Sequence, residues 1–328
     1  MSMRFKYILI GFSVLVFFGF IVFEFCTPKS SLPLITIANW GPHSSLDETV
    51  RGIKEGLEAK GFKENETISL KITSVNFDPS LIPQMISNLR AYRPKVMVVL
   101  STPVAQVLKN SEKEAPIVFA SITDPVEGGL IHHPEKSHEN VTGSSDQQNL
   151  ELFLSFAKDL LPKAQTVGIL YATGEANDFA LVKLMEKAAQ KAGLKVVAVP
   201  VDQSRDIPQR MHSFKDKVDF IYVGTSGTIQ PALPTIVAAA DRMNIPVFNA
   251  DSEAVRKNQV LGSFGVTYYQ VGLNASTMIV QLLEGKKISE IPPIYPSAQD
   301  HHGVVSKKRA EQFGVLNLKN LPNITIIE

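Results

Sequence analysis

Two short stretches carry most of the chemistry open to this chain. Pro116–Val126 (PIVFASITDPV) and Pro246–Val255 (PVFNADSEAV) each run from apolar residues into hydroxyls and carboxylates. With Phe119 set on Phe248, Ile122 falls on Asp251, Thr123 on Ser252 and Asp124 on Glu253. Residues of these types suit binding better than bond-making. A carboxylate attracts an ammonium, and hydroxyls with backbone N–H groups at a helix N-terminus hold an anion. A second matched pair stands at Leu100-Ser101-Thr102-Pro103 and Gly224-Thr225-Ser226-Gly227. Each of these polar residues has a local alternative, which is to cap the helix that follows it.

The elements that position them also occur twice. An apolar run ending in polar residues reads as a buried parallel strand and the turn before a helix. Leu57–Phe62 matches Ala189–Leu194, and both look like a helix end with glycine just past the cap. Val75–Met85 matches Val201–Met211, each with a proline in the first turn of a helix. Gly41–Leu57 and Gly174–Ala189 are both glycine-led loops running into helices. The spacing of roughly 130 residues is far too long for a solenoid, where about 20–50 is expected. Strands alternating with helices predict an α/β fold of two Rossmann-like lobes with parallel sheets. Ligands bind at strand ends in such folds. The pattern places 34–143 with about 266–290 in lobe one, and 144–265 with about 291–328 in lobe two. Val141-Thr142-Gly143 reads as the first crossing between them.

Composition narrows the function. The chain has 328 residues, 44% hydrophobic and 20% charged, with net charge +1. That is enough for two domains, and it offers no basic stripe for nucleic acid. The densest basic run, Lys307-Lys308-Arg309, reads as a solvated helix start. There is no G-x-G-x-x-G, phosphate-loop lysine, H-E-x-x-H, C-x-x-C or G-x-S-x-G motif, so no cofactor or metal is expected. His132-His133 and His301-His302 are neighbours that would point apart, which suits surface loops better than metal ligation. Cys26 is the single cysteine, so no intrachain disulfide can form.

The N-terminus has a different character. Arg4 and Lys6 precede an uncharged apolar run, Tyr7 to Phe23. As a helix it would span about 26 Å against roughly 30 Å of hydrocarbon. Basic residues ahead of it would stay inside and send the rest of the chain out. Glu24 and Phe25 suit signal peptidase poorly, so an uncleaved anchor over 7–23 is favoured over a cleaved peptide. Lipidation at Cys26 is disfavoured by the bulky Phe23-Glu24-Phe25 before it, and residues 27–33 read as a linker.

Taken together, these residues resemble a known family, the periplasmic substrate-binding proteins of ABC transporters. The resemblance is to the branch that includes tryptophan- and other aromatic-amino-acid-binding proteins. It is carried by His43-Ser44-Ser45-Leu46-Asp47, Ser101 to Gln106, Ser121 to Val126, Asn140-Val141-Thr142-Gly143, Gly174-Glu175-Ala176-Asn177, Ile245 to Phe248, and Tyr268-Tyr269. It implies a type I periplasmic-binding-protein fold, preceded by one N-terminal hydrophobic helix. It further implies a cleft that closes on its ligand by a hinge motion. It implies a monomer in the periplasm or on the outer face of the membrane, tethered by 7–23. Such a protein hands a small solute, an amino acid and plausibly an aromatic one, to ABC permease subunits driven by a separate ATPase.

On this reading lobe one supplies His43, Ser101, Thr102, Thr123 and Asp124, with Tyr268 near a crossing. Lobe two supplies Asn177, Thr225, Ser226, Asp251, Ser252 and Glu253, with either Asp251 or Glu253 meeting the ammonium. Trp40, the only tryptophan, either stacks on a planar ligand or closes the lobe edge. The chain departs from the branch at Ala172-Thr173, where Asn-Pro is usual, and at Asp178, where Ser is usual. It departs again at Ser226-Gly227 (usually Asp-Asn), and at Glu253 and Thr267 (usually Asp). These departures fall on cleft loops, which points to a ligand preference of its own. Two other readings remain at this stage: a ligand-sensing module of the same fold, and an enzyme on a two-lobe scaffold.

Overall fold

The computed structural model describes residues 32–315, 318 and 324–328. The expected helix over 7–23 and the Cys26 site lie outside the described residues. Among the described residues, no helix is long and apolar enough to cross a membrane.

The first sheet is built from β1 (Leu34–Asn39), β2 (Ser69–Ser74), β3 (Val96–Leu100), β4 (Ile117–Ile122) and β5 (Val141–Ser145). Its order is β2-β1-β3-β4-β5 and every pairing is parallel. Helices α1 (Ser44–Ala59), α2 (Ile82–Ala91) and α3 (Thr102–Ser111) connect these strands. β3 and β4 are buried along their whole length, as central strands covered on both faces must be. β2 sits at the edge and is mixed in burial, which matches its alternating sequence.

The second sheet contains β6 (Thr166–Ala172), β7 (Lys195–Val201), β8 (Phe220–Val223), β9 (Val247–Asn249), β10 (Gly262–Gly265), β11 (His302–Ser306) and β12 (Ile324–Ile327). The order is β12-β11-β10-β9-β8-β6-β7, parallel except where β10 meets β11. Its helices are α4 (Leu150–Leu160), α5 (Ala176–Ala192), α6 (Ile207–Met211), α7 (Leu233–Arg242), α8 (Ser252–Arg256) and α10 (Lys307–Gln312). One apolar cluster lies on each face of this sheet. The residues after both matched helix ends, Gly61 and Gly193, have φ of 85° and 68°, the left-handed conformation that glycine adopts freely.

Helix α9 (Tyr268–Leu283) follows β10 yet packs on α1, in the first lobe. The close crossing depends on Gly52 and Gly272. A Cβ at either would stand 2.2 Å from a carbonyl oxygen of the facing helix.

The structure differs from the sequence reading at the crossings. β5 pairs with β4 and continues to Ser145, so Val141-Thr142-Gly143 is strand and the chain leaves the first sheet only after it. Val-Thr-Gly-Ser-Ser is too short and polar to announce a strand, although all five residues are buried. Ile294 donates to Gly143 O and accepts from Ser145 N–H, both at 2.9 Å. The segment through Ile294 therefore runs along the first sheet before the chain returns to β11. His301 is not in a surface loop. It is buried between the crossing segments, donating to Ser297 O at 2.7 Å and accepting from Asn149 N–H at 2.8 Å. Arg309 is likewise buried, in a bidentate pair with Asp241, while Lys307 and Lys308 are exposed.

Candidate functional site

The C-terminal ends of β1, β3, β4, β5, β8 and β9, with the start of α9, meet between the lobes. The ends of β1, β3, β4, β5 and β8, with Phe77 and the start of α9, line a narrow cavity of about 30 Å³. Two residues at these ends have backbones that bulky residues avoid. Ser101 after β3 has φ 74° and Ser121 near the end of β4 has φ 55°. At Ser121 the β4–β5 register also shifts. Non-glycine residues with positive φ are uncommon and gather at functional sites. Both serines line the cavity. Ser121 Oγ is fixed by Thr49 Oγ1 at 2.7 Å.

The residues expected from sequence separate into three groups. His43, Ser101, Thr225, Ser226 and Tyr268 line the cavity. His43 also caps α1, with Nδ1 accepting from Ser45 N–H at 3.2 Å. Burial lowers its pKa, against the upward pull of Asp251 and Asp47.

A second group joins the lobes. Thr123 and Thr225 bring their hydroxyls within 3.2 Å across the cleft. Asp251 reaches from lobe two to lobe one. Its Oδ2 accepts from Ser44 Oγ at 2.6 Å and Ser45 Oγ at 3.1 Å, while its Oδ1 caps α8 through Glu253 N–H at 2.9 Å. Reciprocal amide bonds of Asn249 with Gln230, at 2.8 and 3.0 Å, hold the Asn249 Oδ1 that receives Asp251 N–H. An exposed ion pair, Lys183 with Glu127 at 3.0 Å, adds a contact at the rim.

A third group is occupied locally. Asp124 accepts from the N–H groups of Val126 and Glu127, both at 3.0 Å. Glu253 pairs with Arg256 at 3.1 Å. Ser252 opens α8, and Thr102 is buried at the start of α3. Asn177 donates to Asp178 Oδ1 at 3.0 Å and leaves its own Oδ1 without a partner. Around it, Glu175 holds the loop after β8, accepting from Gly227 N–H (2.9 Å), Thr228 N–H (2.8 Å) and Thr228 Oγ1 (2.6 Å). Burial, reinforced by the neighbouring Glu175, pushes the Asp178 carboxyl well up.

Sequence reasoning missed Asp146. It follows β5 directly, is 2% exposed and lines the cavity. Burial raises its pKa to about 6, with the Thr123 hydroxyl pulling the other way. Its Oδ1 has no hydrogen-bond partner, and neither do Trp40 Nε1 or the Tyr268 hydroxyl, whose residues line the same space. The available signal was the polar end of Gly143-Ser144-Ser145-Asp146, the same grammar as Ile122-Thr123-Asp124. Among the described residues, no group of three His, Cys, Asp or Glu side chains is placed to hold a metal ion.

Two parallel α/β lobes facing each other across a cavity at their strand ends define a two-lobed solute-binding protein. The sequence profile of the family described as ABC transporter substrate binding protein matches residues 35–323, and the chain belongs to that family. It is 31% identical over 258 residues to a tyrosine-binding protein of Clostridioides difficile (strain R20291), covering 79% of this chain and 74% of that one. An ABC domain from Streptococcus pneumonia solved in complex with L-Trp superposes with a TM-score of 0.84 at 29% identity, over 91% of this chain and all of the other (100%). A ligand-free, open substrate-binding protein with adhesive properties from Clostridium difficile gives 0.71 at 30% identity, over 90% and 99%. Identity is nearly equal in these two structures, so the lower score with the ligand-free, open one agrees with the contacts that join the lobes here. The family consists of binding proteins rather than enzymes.

Proposed function

We propose that this chain is the extracytoplasmic solute-binding component of an ABC importer and that its cavity holds an α-amino acid. The observation that carries the ligand class is the buried Asp146 carboxyl at the cleft, one oxygen of which, Oδ1, has no partner. A buried anion that has lost its water is stabilised by a cation that brings hydrogen-bond donors, and an α-ammonium does both. The ligand carboxylate then lies among the hydroxyls of Ser101, Ser121 and Thr225 and the free N–H groups at the start of α3. His43, Ser226 and Tyr268 complete the contact set. Thr102, Thr123, Asp124, Asn177, Asp251, Ser252 and Glu253 act from behind it, shaping loops or joining lobes. Charge-assisted bonds contribute roughly 1.5–3 kcal/mol each. Two or three of them with a buried side chain reach about −8 kcal/mol, which is micromolar affinity.

An apolar wall of Trp40, Leu46 and Phe77 favours an aromatic side chain, in keeping with relatives named for tyrosine or solved with L-Trp. The lobes act as rigid bodies that part about the crossings after Ser145, Gly265 and Ile294. Closure presents the loaded protein to permease subunits powered by a separate ATPase. Residues 7–23 tether it to the outer face of the membrane.

Calorimetry with the free amino acids, their N-acetyl forms and a sugar panel tests this. Free aromatic amino acids should bind at micromolar concentration and the N-acetyl forms should not. Binding of sugars without amino acids would refute the assignment.

A further inference from the structure

Asp146 lines the cavity, and its backbone is held more completely than its carboxyl. The carboxyl leaves Oδ1 without a partner. Both backbone groups are engaged. The N–H donates to Ile122 O at 3.2 Å, and the O accepts from Gln148 Nε2 at 3.1 Å. The first bond ties Asp146 to β4. The second comes from a side chain two residues further on, 7% exposed and outside the cavity lining.

Gln148 holds a second partner with the same amide. Its Oε1 accepts from Val266 N–H at 3.2 Å. One partner is a donor and the other an acceptor, so the amide has a single productive orientation. Gly265 lies against it. A Cβ there would stand 1.8 Å from Gln148 Oε1. The φ of Gly265 is not in the positive range, so the amide, not the backbone, demands glycine. Val266 leads into Thr267, which caps α9 through Gln270 N–H at 3.2 Å. Tyr268 opens that helix and lines the cavity. One buried amide thus joins the crossing that carries Asp146 to the crossing that leads to Tyr268. Without it a buried carbonyl and a buried N–H would both lose their partner, which is costly.

We infer that Gln148 is a positioning residue for recognition of the ligand ammonium, acting through Asp146. It pins the Asp146 carbonyl to the Val266 N–H and so keeps Asp146 and Tyr268 in register at the cavity. This rests on the α-amino-acid reading above. Gln148 itself touches no ligand. Losing its amide frees the Asp146 carbonyl to turn, and the carboxyl turns with it.

The test is calorimetry of L-tyrosine, L-phenylalanine and L-tryptophan in a double-mutant cycle of Gln148→Met and Asp146→Asn. Methionine fills the space of glutamine without making either hydrogen bond. Gln148→Met should weaken the tightest wild-type ligand by about tenfold. On the Asp146→Asn background the same change should cost less than about threefold, because the carboxylate it serves is gone. Gly265→Ala displaces the amide from the other side and should reproduce the loss. Adding Gln148→Met to Gly265→Ala should then cost less than about threefold more. If Gln148→Met does not fold, Gly265→Ala takes its place in the cycle with Asp146→Asn. Equal factors with and without the Asp146 carboxylate would mean that Gln148 serves folding or closure alone. That result, or affinity unchanged in both Gln148→Met and Gly265→Ala, overturns the positioning role and leaves the α-amino-acid reading standing. If the wild type binds none of the three, that reading fails and the inference falls with it.

Discussion

Asp146 and Asp251 are both buried aspartates at strand ends, one on each side of the cleft, and they are in opposite states. Asp251 has both carboxylate oxygens engaged by this chain, two serine hydroxyls from lobe one on Oδ2 and a backbone N–H on Oδ1. Asp146 has an oxygen with no partner and a pKa raised to about 6. Burial alone, 4% and 2% exposed, does not separate them. The partners do. A satisfied carboxylate between lobes holds the lobes together, whereas Asp146 keeps an oxygen free at the cavity, where the proposed function puts the ligand ammonium.

The largest effect should come from Asp146. Asp146→Asn keeps the shape and removes the charge, and it should weaken amino-acid binding by about a hundredfold or more, matching the loss of a charged hydrogen bond of roughly 3 kcal/mol. The same change should raise the ligand-free melting temperature. A carboxylate whose folded pKa lies above its unfolded value holds more protons when folded, so its ionisation at neutral pH destabilises the fold, here by roughly 2–3 kcal/mol. Calorimetry and thermal melts that moved together, rather than oppositely, would cancel the distinction between the two aspartates. The wild type should lose affinity as pH falls below about 6, because Asp146 must shed a proton to meet the ammonium. The loss should approach tenfold per pH unit.

Asp251 should matter less and differently. Asp251→Ala removes a bond that exists only in the closed arrangement, so it shifts the open–closed balance. Every ligand should weaken by about the same factor, roughly tenfold, with the ranking kept. X-ray scattering of the ligand-bound protein should report a larger radius of gyration. A change in ranking would move Asp251 from the closure contact into the ligand site.

These contrasts show why sequence reached the fold further than the site. Val96–Leu100 and Ile117–Ile122 announce themselves because central parallel strands are apolar on both faces. β5 does not, being a short edge of Val-Thr-Gly-Ser-Ser, and Asp146 was lost with it. Position at a strand end is legible in a pattern of residue types. Which lone pairs are already taken is not, since it depends on contacts between distant residues. Thr123 and Asp124 are neighbours, yet one reaches Thr225 across the cleft and the other caps its own turn. Trp40 could be read as ligand stack or as lobe closure, and it lines the cavity while lying on Gly227.

The smallest effect expected on binding lies behind Asp146, at His301. Asn149 N–H donates to Nε2, so Nε2 carries the lone pair and Nδ1–H donates to Ser297 O. One ring thus ties the crossing after Ser145 to the crossing after Ile294, and Phe264 stacks on it at 6.0 Å. Burial lowers its pKa, against the Ser297 carbonyl and Asp300, with His302 adding to the fall. The unfolded chain therefore takes up the proton first, below about 6.5, and stability contributed by neutral His301 is lost as pH falls. That sense is opposite to Asp146, whose protonation stabilises the ligand-free fold over the same range. His301→Gln should cost about 1–2 kcal/mol at pH 7.5 in denaturant melts and change affinity by less than about threefold. Between pH 7 and pH 5 its stability should rise more with acidity than that of the wild type, while that of Asp146→Asn should rise less. Parallel slopes in the two variants would mean that the crossing and the cavity floor do not titrate as separate groups.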